Sequence, residues 1–314
     1  MIGASILIVI LLVILIALII AIKFTLNLHQ AQHDSYQPVK HSTTNEDIKI
    51  NDSKQLKNRS FLILGLDKMN DGSQRTDSII IATYHVKDNV VTMTRIPRDL
   101  YIKTDDYEGK INALYDAKGL AKTIDTIQDY VGLPISNYAT TDFKGLTKMV
   151  DHIGGIDINS DIKIDDSNNY NLDHKIYVHK GKNHLNGTEA LGYSRIRYVD
   201  NDIERGNRQM DVIKAIINKM TRPNELLSVD NNIKFMSQYT KTDMKISTAI
   251  DYALNVKSTP KIKKLSFDWD SFDYEGQSYV KLSMKERAKI SKQLRKSMNL
   301  DEDSALVPIQ NEPK

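Results

Sequence analysis

The 314-residue chain contains no cysteine. That absence excludes disulfides, thiolate zinc sites and cysteine nucleophiles. Its eight histidines, His174, His179 and His184 among them, show no metal-ligand spacing and read as surface residues. There is no G-x-x-x-x-G-K-[ST] phosphate loop and no G-x-S-x-G nucleophile elbow. No internal repeat or low-complexity block occurs. A strong excess of charge is missing too: 43 Lys+Arg against 40 Asp+Glu leaves +3, so the whole molecule is not a polyanion-binding particle. Arginine is scarce, 11 of the 43 basic residues, yet Arg195, Arg197, Arg205 and Arg208 fall within fourteen positions. Asp200, Asp202 and Glu204 offset three of those four charges. Particular positions therefore need guanidinium groups, and a diffuse basic patch is a poor description.

The N-terminus carries the strongest organisational signal. Ile2 to Ile22 holds no charge and no proline, and a helix of about 20 such residues spans the hydrocarbon core of a bilayer. A cleaved signal peptide would have an apolar core of about 7–15 residues and a small-residue cleavage site; here the run is longer and ends "ALIIAIKF". The expectation is a retained anchor over 1–22. No Lys or Arg precedes it and Lys23 follows it, so the charge rule does not orient the helix. The site chemistry, below, favours a cytoplasmic N-terminus and an extracytoplasmic C-terminal domain.

Residues 23–58 are polar and nearly free of aromatics, which predicts a juxtamembrane stalk. Globular character begins at "SFLILGLD", a short apolar run suited to a buried strand. "SIIIATYHV", the turn "KDN" and "VVTMTRIP" predict a hairpin. Leu120, Ile124, Ile127 and Val131 mark one amphipathic helix. Phe143, Leu146, Val150 and Ile153 mark another, stopped by Gly154-Gly155. "GIDINSDIKI" and "KIYVHKG" are strand-like, a helix opens at "LNGTEALGYSRIR", and the one with Ile213, Ile216, Ile217 and Met220 must end before Pro223. "KKLSFDWDSF" and "QSYVKLS" predict further strands. Ser283 with Glu286 forms a capping box before a helix to about Met298, and 301–314 is a loose tail. Helices and strands intermix without a βαβ repeat. That favours an α/β three-layer α-β-α domain with a central mixed sheet over 59–300, behind one transmembrane helix.

Strand directions gather a candidate site. Asp67 ends the first strand and Asp77 stands just before the second, so both lie at one end of the sheet, on strands about 4.8 Å apart. The third strand returns Arg95, Arg98 and Asp99 to that end, near Arg75. Oxygen-only ligands suit a hard cation such as Mg²⁺, which takes one or two carboxylates plus phosphate oxygens. Arginine binds phosphate bidentately. Together they are the equipment of phosphoryl transfer. An Asp after a strand is more often a turn or cap residue, and alternating Arg and Asp at 195–208 also fits a surface ion-pair network.

In order and spacing, "FLILGLD", "RTDSIIIAT", "MTRIPRDLYI", "KINALYDAKG", "GGIDIN" and "GKNHLNGTEALGYSRIRYVDNDIERGNRQ" resemble the LytR-CpsA-Psr family over roughly 59–222, the core motifs, extending to about 300. The resemblance implies a membrane-anchored, extracytoplasmic ligase. Such an enzyme moves an anionic glycopolymer from a polyprenyl-pyrophosphate carrier onto peptidoglycan, with no nucleic-acid partner. By motif match it implies that Asp67 and Asp77 hold Mg²⁺, with Mn²⁺ as a substitute. Arg75, Arg98, Arg195, Arg197, Arg205 and Gln209 would surround the pyrophosphate, with Lys110 nearby. Arg98, Asp99 and Asp202 are the candidate catalytic residues, Asp202 orienting an arginine or accepting a proton. Two departures stand out: Ala113 where relatives often carry histidine, and "RYVDNDIERGNRQ" in place of a glycine-rich "GDFGR". The first is read as neutral for the chemistry. The second keeps Asp202 in register with Arg205, while Arg208 matches a variable position. A composition rich in Lys, Asn and Ile points to an AT-rich Gram-positive source, hence wall teichoic acid first and capsule second. The alternatives are a membrane-anchored transcriptional attenuator, a polyprenyl-pyrophosphate phosphohydrolase, or a binding module without catalysis.

Overall fold

In a computed structural model the described residues are 2–40, 56–69, 72–166, 176–196, 202–255, 258–302, 306, 309–310 and 312–313. The chain opens with helix α1 (Ile2–Ser35), followed by β1 (Arg59–Lys68), β2 (Gln74–His85), β3 (Val90–Ile96), β4 (Tyr101–Lys103) and β5 (Glu108–Lys110). Next come α2 (Ile111–Val131), β6 (Asn137–Asp142), α3 (Phe143–His152), β7 (Ile156–Ser160), β8 (Ile164–Asp166), β9 (Ile176–Val178) and β10 (Gly181–Leu185). Helices α4 (Gly187–Arg195), α5 (Asp202–Met220), α6 (Pro223–Leu226) and α7 (Val229–Ser237) lead to β11 (Thr240–Thr242) and α8 (Ile246–Asn255). Strands β12 (Lys261–Leu265), β13 (Asp270–Tyr274) and β14 (Gln277–Lys281) precede α9 (Met284–Met298).

Six strands form the central sheet in the order β11-β6-β1-β2-β3-β12. β1 pairs parallel with β6 and β3 with β12, and the other neighbours are antiparallel, so the sheet is mixed. The run "SIIIAT" is apolar at every position because β2 is buried on both faces. Ile79 and Ile81 join Leu62 and Leu64 against Ile124 and Ile127 of α2 and Ile290 and Leu294 of α9. Ile80 and Ala82 face the other way, with Met93, onto Met210 and Ile213 of α5. This is the three-layer α-β-α arrangement. A third cluster joins α3, α4 and α5 to β7–β10 through Val150, Ile156, Ile158, Tyr193 and Val212.

The hairpin turn lands where "KDN" placed it, with Asn89 at φ 51°, a conformation asparagine tolerates better than most side chains. Gly154 and Gly155, at φ 73° and 81°, end α3.

Four expectations change. The polar stretch after the apolar run is not a stalk as far as residue 40: α1 continues to Ser35 and docks on the domain. Ala31 is fully buried with Ile246 and Ile250, Asn27 donates to Asp230 at 2.8 Å, and Gln32 accepts from the Ile246 amide at 2.7 Å. Few apolar residues are needed because hydrogen bonds supply the rest; residues 41–55 lie outside the described ones. "KKLSFDWDSF" makes two strands in different sheets, β12 and β13. The capping box at Ser283 is half formed: its hydroxyl accepts from the Glu286 amide at 3.2 Å, while the Glu286 carboxylate turns to Lys289 and the Asp268 amide. In the tail, Ile309 packs on the core and the Gln310 carbonyl accepts from the Lys103 amide at 3.1 Å.

Candidate active site

A single irregularity in the β1–β2 ladder builds the site. Gly65 pairs with Ser78, but Leu66 pairs with Thr76, leaving Asp77 as an extra residue on β2. Such a bulge re-aims side chains, because a slip of one residue reverses which face each presents. Ser78 keeps the α5 side, its hydroxyl donating to Gln209 Oε1 at 3.1 Å. Thr76 is switched to the other face, where its hydroxyl reaches the Asn112 carbonyl of α2 at 3.3 Å. Asp77 and Ser78 consequently line one cavity although they are adjacent in sequence. Without the bulge, Asp77 would share the face of Ile79 and enter the core. Asp67, placed at the end of β1 by sequence, lies within it and lines the same cavity, as does Asp77 from within β2.

The cavity measures about 640 Å³. Its lining combines Asp67, Asp77, Arg98, Arg195, Arg205 and Gln209 with Ile63, Phe143, Leu146, Leu191, Val212 and Ile213. Arg98 Nη1 donates to Asp77 Oδ2 at 2.9 Å, and Arg98 Nε stands 3.4 Å from Asp99, whose other oxygen meets Lys110 Nζ at 3.0 Å. Asp77 Oδ1 is buried and accepts no hydrogen bond among the described residues. Burial and then the neighbouring Asp77 charge push the Asp67 carboxyl above its ordinary value, against the pull of Arg195, Arg98 and Arg75. A carboxylate with a bare buried oxygen beside a second, disfavoured carboxylate is a donor set that fits a hard cation. Among the described residues no group of three or more His, Cys, Asp or Glu could hold a metal, so phosphate or water oxygens would complete the shell.

Arg195, at the C-terminal end of α4, stacks on Phe143 at 4.3 Å and reaches the cavity. Its helix begins with a capping box that sequence reading missed, Asn186 with Glu189. Arg205 of α5 is 4% exposed and also lines the cavity. Arg208 does different work: buried, it donates to the carbonyls of Tyr193 (3.0 Å) and Ile196 (2.6 Å), tying α5 to the end of α4 and so holding Arg195 in place. Arg197 and the side chain of Asp202 lie outside the described residues. Arg75, Lys110 and Asp99 line a second, smaller cavity that shares Arg98 with the first. Ala113, the departure at a motif position, stands on that second wall. Arg95 is no part of either wall: it is buried against Gly206 and stacks on Trp269 at 5.3 Å.

The model of the LytR_cpsA_psr family matches residues 22–296. The chain belongs to the LytR-CpsA-Psr family. Among its relatives, the polyisoprenyl-teichoic acid–peptidoglycan teichoic acid transferase TagU of Enterococcus faecalis is 27% identical over 286 residues, 88% of this chain and 90% of the relative. TagV of Bacillus subtilis, named for the same activity, is 31% identical over 199 residues, 61% of this chain. The matched region spans about half the length of that relative, 51%. The crystal structure of B. subtilis TagV superposes with a TM-score of 0.67 at 27% identity, covering 79% of this chain and 99% of that one. The mixed sheet with its flanking helices is thus the architecture of LytR-CpsA-Psr structures. One helix among the described residues is long and apolar enough to cross a membrane, and Ile14, Leu15, Ile16, Leu18, Ile19 and Ile20 on it are at least half exposed.

Chemically, one cavity combines apolar side chains with two carboxylates and at least three guanidinium groups. It suits an amphiphile with a long hydrocarbon body and a doubly charged phosphate head.

Proposed function

We propose that the protein is a membrane-anchored, extracytoplasmic phosphotransferase that moves an anionic glycopolymer, wall teichoic acid foremost, from a polyprenyl-pyrophosphate carrier to peptidoglycan. The observation that carries this reading is the single cavity whose lining joins apolar side chains to Asp67, Asp77, Arg98, Arg195 and Arg205. The names of the relatives point the same way. The carrier's hydrocarbon lies along the apolar wall, and the arginines grip the pyrophosphate through paired hydrogen bonds. Asp67 and Asp77 hold Mg²⁺, which when bound neutralises phosphate charge that the arginines leave uncompensated.

In the reaction an acceptor hydroxyl oxygen bonds to the phosphorus that carries the polymer. The bond from that phosphorus to the bridging oxygen breaks, its electron pair leaves with the carrier as polyprenyl monophosphate, and the hydroxyl proton passes to the Asp99 carboxylate. Arg98 spans the charge that develops, because its guanidinium is already fixed by Asp77 and Asp99 and needs no reorganisation.

Incubating the protein with lipid-linked teichoic acid, peptidoglycan fragments and Mg²⁺ should yield a covalent polymer–glycan product and polyprenyl monophosphate. Release of free polymer phosphate with no glycan product would instead identify a phosphohydrolase. Convergence of the arginines inside a cavity, rather than on an exposed face, weighs against the attenuator reading.

A further inference from the structure

We propose that the smaller polar cavity beside the phosphate-binding end is the subsite for the sugar ring of the acceptor, an inference that rests on the transferase reading above. The cavity measures about 360 Å³, a size suited to one or two sugar rings. It lies between the start of α2, the β4–β5 ribbon and the β13–β14 hairpin, and Arg98 belongs to its wall as well as to that of the larger cavity.

Three observations carry the assignment. The first is direction. Displacement at phosphorus places the attacking and leaving oxygens roughly in line. Arg98 lines both cavities, so a carrier phosphate gripped from the larger one is within reach of an acceptor that enters through the smaller one, beside Asp99. The second is chemistry. Tyr107 offers ring surface, with the Lys110 ammonium lying over the buried Tyr279 ring at 5.4 Å behind it, and Gln277 and Lys110 offer amide and ammonium groups. A pyranose presents apolar C–H faces and a rim of hydroxyls, and a wall that mixes aromatic surface with such groups matches it. The third is rigidity, which lowers the entropy lost on binding. Tyr279 packs edge-on to Tyr101 with centroids 5.4 Å apart and stacks on Phe272 at 5.7 Å. The Tyr107 hydroxyl donates to the Lys110 carbonyl at 2.5 Å. The Val280 amide donates to the Asp99 carbonyl at 2.9 Å, fixing the hairpin to the residue that follows Arg98. The sugar-facing wall and the phosphate-facing arginine are therefore one rigid piece.

The test uses the full-length protein in detergent and two variants outside the ion-pair chain: Gln277→Ala, at an exposed position, and Ala113→Trp, which fills the cavity. Transfer is measured at saturating lipid-linked polymer with a graded, uncrosslinked peptidoglycan glycan strand. Removing one neutral hydrogen bond should raise the acceptor KM by roughly threefold to tenfold in Gln277→Ala, and filling the space by about tenfold or more in Ala113→Trp. The kcat and the affinity for lipid-linked polymer should stay at wild-type values in both. An unchanged acceptor KM in both folded variants overturns the inference while leaving the transferase reading intact. Weaker binding of lipid-linked polymer, with bare polyprenyl pyrophosphate bound normally, would give the cavity to the donor's sugar and equally overturn it. Absence of any glycan product from the wild-type protein would defeat the transferase reading itself, and the acceptor subsite with it.

Discussion

At the residue scale, the two carboxylates and the arginines separate into groups with different consequences. Replacing Asp77 with Ala frees Arg98 from its 2.9 Å anchor and, if the proposed Mg²⁺ site holds, removes a cation ligand; transfer should fall by about 10²–10³, the usual cost of one preorganised electrostatic element. Turnover with lipid-linked polymer at fixed Mg²⁺ checks this, and wild-type turnover would refute the assignment. Asp67 has a signature that does not require activity. Its carboxyl is raised by burial and by Asp77, so the folded protein binds that proton more tightly than the unfolded chain. The ionised form is a penalty to the fold that is absent at low pH and grows as pH rises through the raised value. With EDTA present at neutral pH, Asp67→Asn should therefore raise Tm, because the amide carries no ionisation penalty. The difference should shrink as pH falls through the raised value and vanish only well below the ordinary carboxylate value, and adding Mg²⁺ should stabilise the wild type only.

Arginine geometry gives a second residue-level contrast. Arg195→Lys keeps the charge and loses the planar fork, so affinity for a polyprenyl pyrophosphate should drop about tenfold or more. Arg222, exposed and paired with Asp157 at 2.8 Å, should tolerate lysine at a cost under about 1 kcal/mol in stability and none in lipid binding. Equal affinities for the two variants would rule out the clamp.

At the element scale, α4 is held where a side chain would not fit. A Cβ added to Gly187, the first residue of α4, would come within 2.1 Å of the Thr147 carbonyl oxygen in α3. Backbone cannot step aside as a flexible side chain can, so Gly187→Ala should push α4 away from α3 and destabilise the protein by roughly 1–3 kcal/mol, read as a fall in urea midpoint. Because Arg195 sits at the far end of that helix, lipid affinity should fall with it. Sequence patterning found most of these elements: the apolar runs of β1 to β3, the periodicity of α2, α3 and α5, and the glycine stop after α3. It could not find the bulge that turns Asp77 outward, since the residues "RTDS" are the same whether or not one of them is looped out of register. Nor could it distinguish Arg208, which braces two helices, from Arg195 and Arg205, which face the cavity.

At the scale of the molecule, the apolar helix and the domain are one continuous structure. Leu28 and Ala31 of α1 pack on Ile246 and Ile250, with Asn27 and Gln32 hydrogen-bonded alongside. A chain starting at residue 36 should be less stable than one starting at residue 24 by about 1–2 kcal/mol, from the buried Ala31 and partly buried Leu28; thermal unfolding of the two decides. The sidedness of the domain is open to a direct probe because the protein lacks cysteine. A single cysteine placed near Lys314 should react with an impermeant maleimide in intact protoplasts, and labelling only after lysis would place the domain in the cytoplasm.

Sequence alone determined the long apolar N-terminal helix, the layered α/β class, the family and the residue types of the site, because each is written in composition, periodicity or ordered local motifs. Tertiary structure alone decided which of those residues meet. Asp67 and Asp77 share a cavity through one bulged residue, the arginines divide into cavity-lining and bracing by the packing of α4 against α5, and Arg98 lines both an apolar and a polar cavity. Those outcomes depend on contacts between segments far apart in the chain, and a local pattern holds no record of which face its neighbour will present.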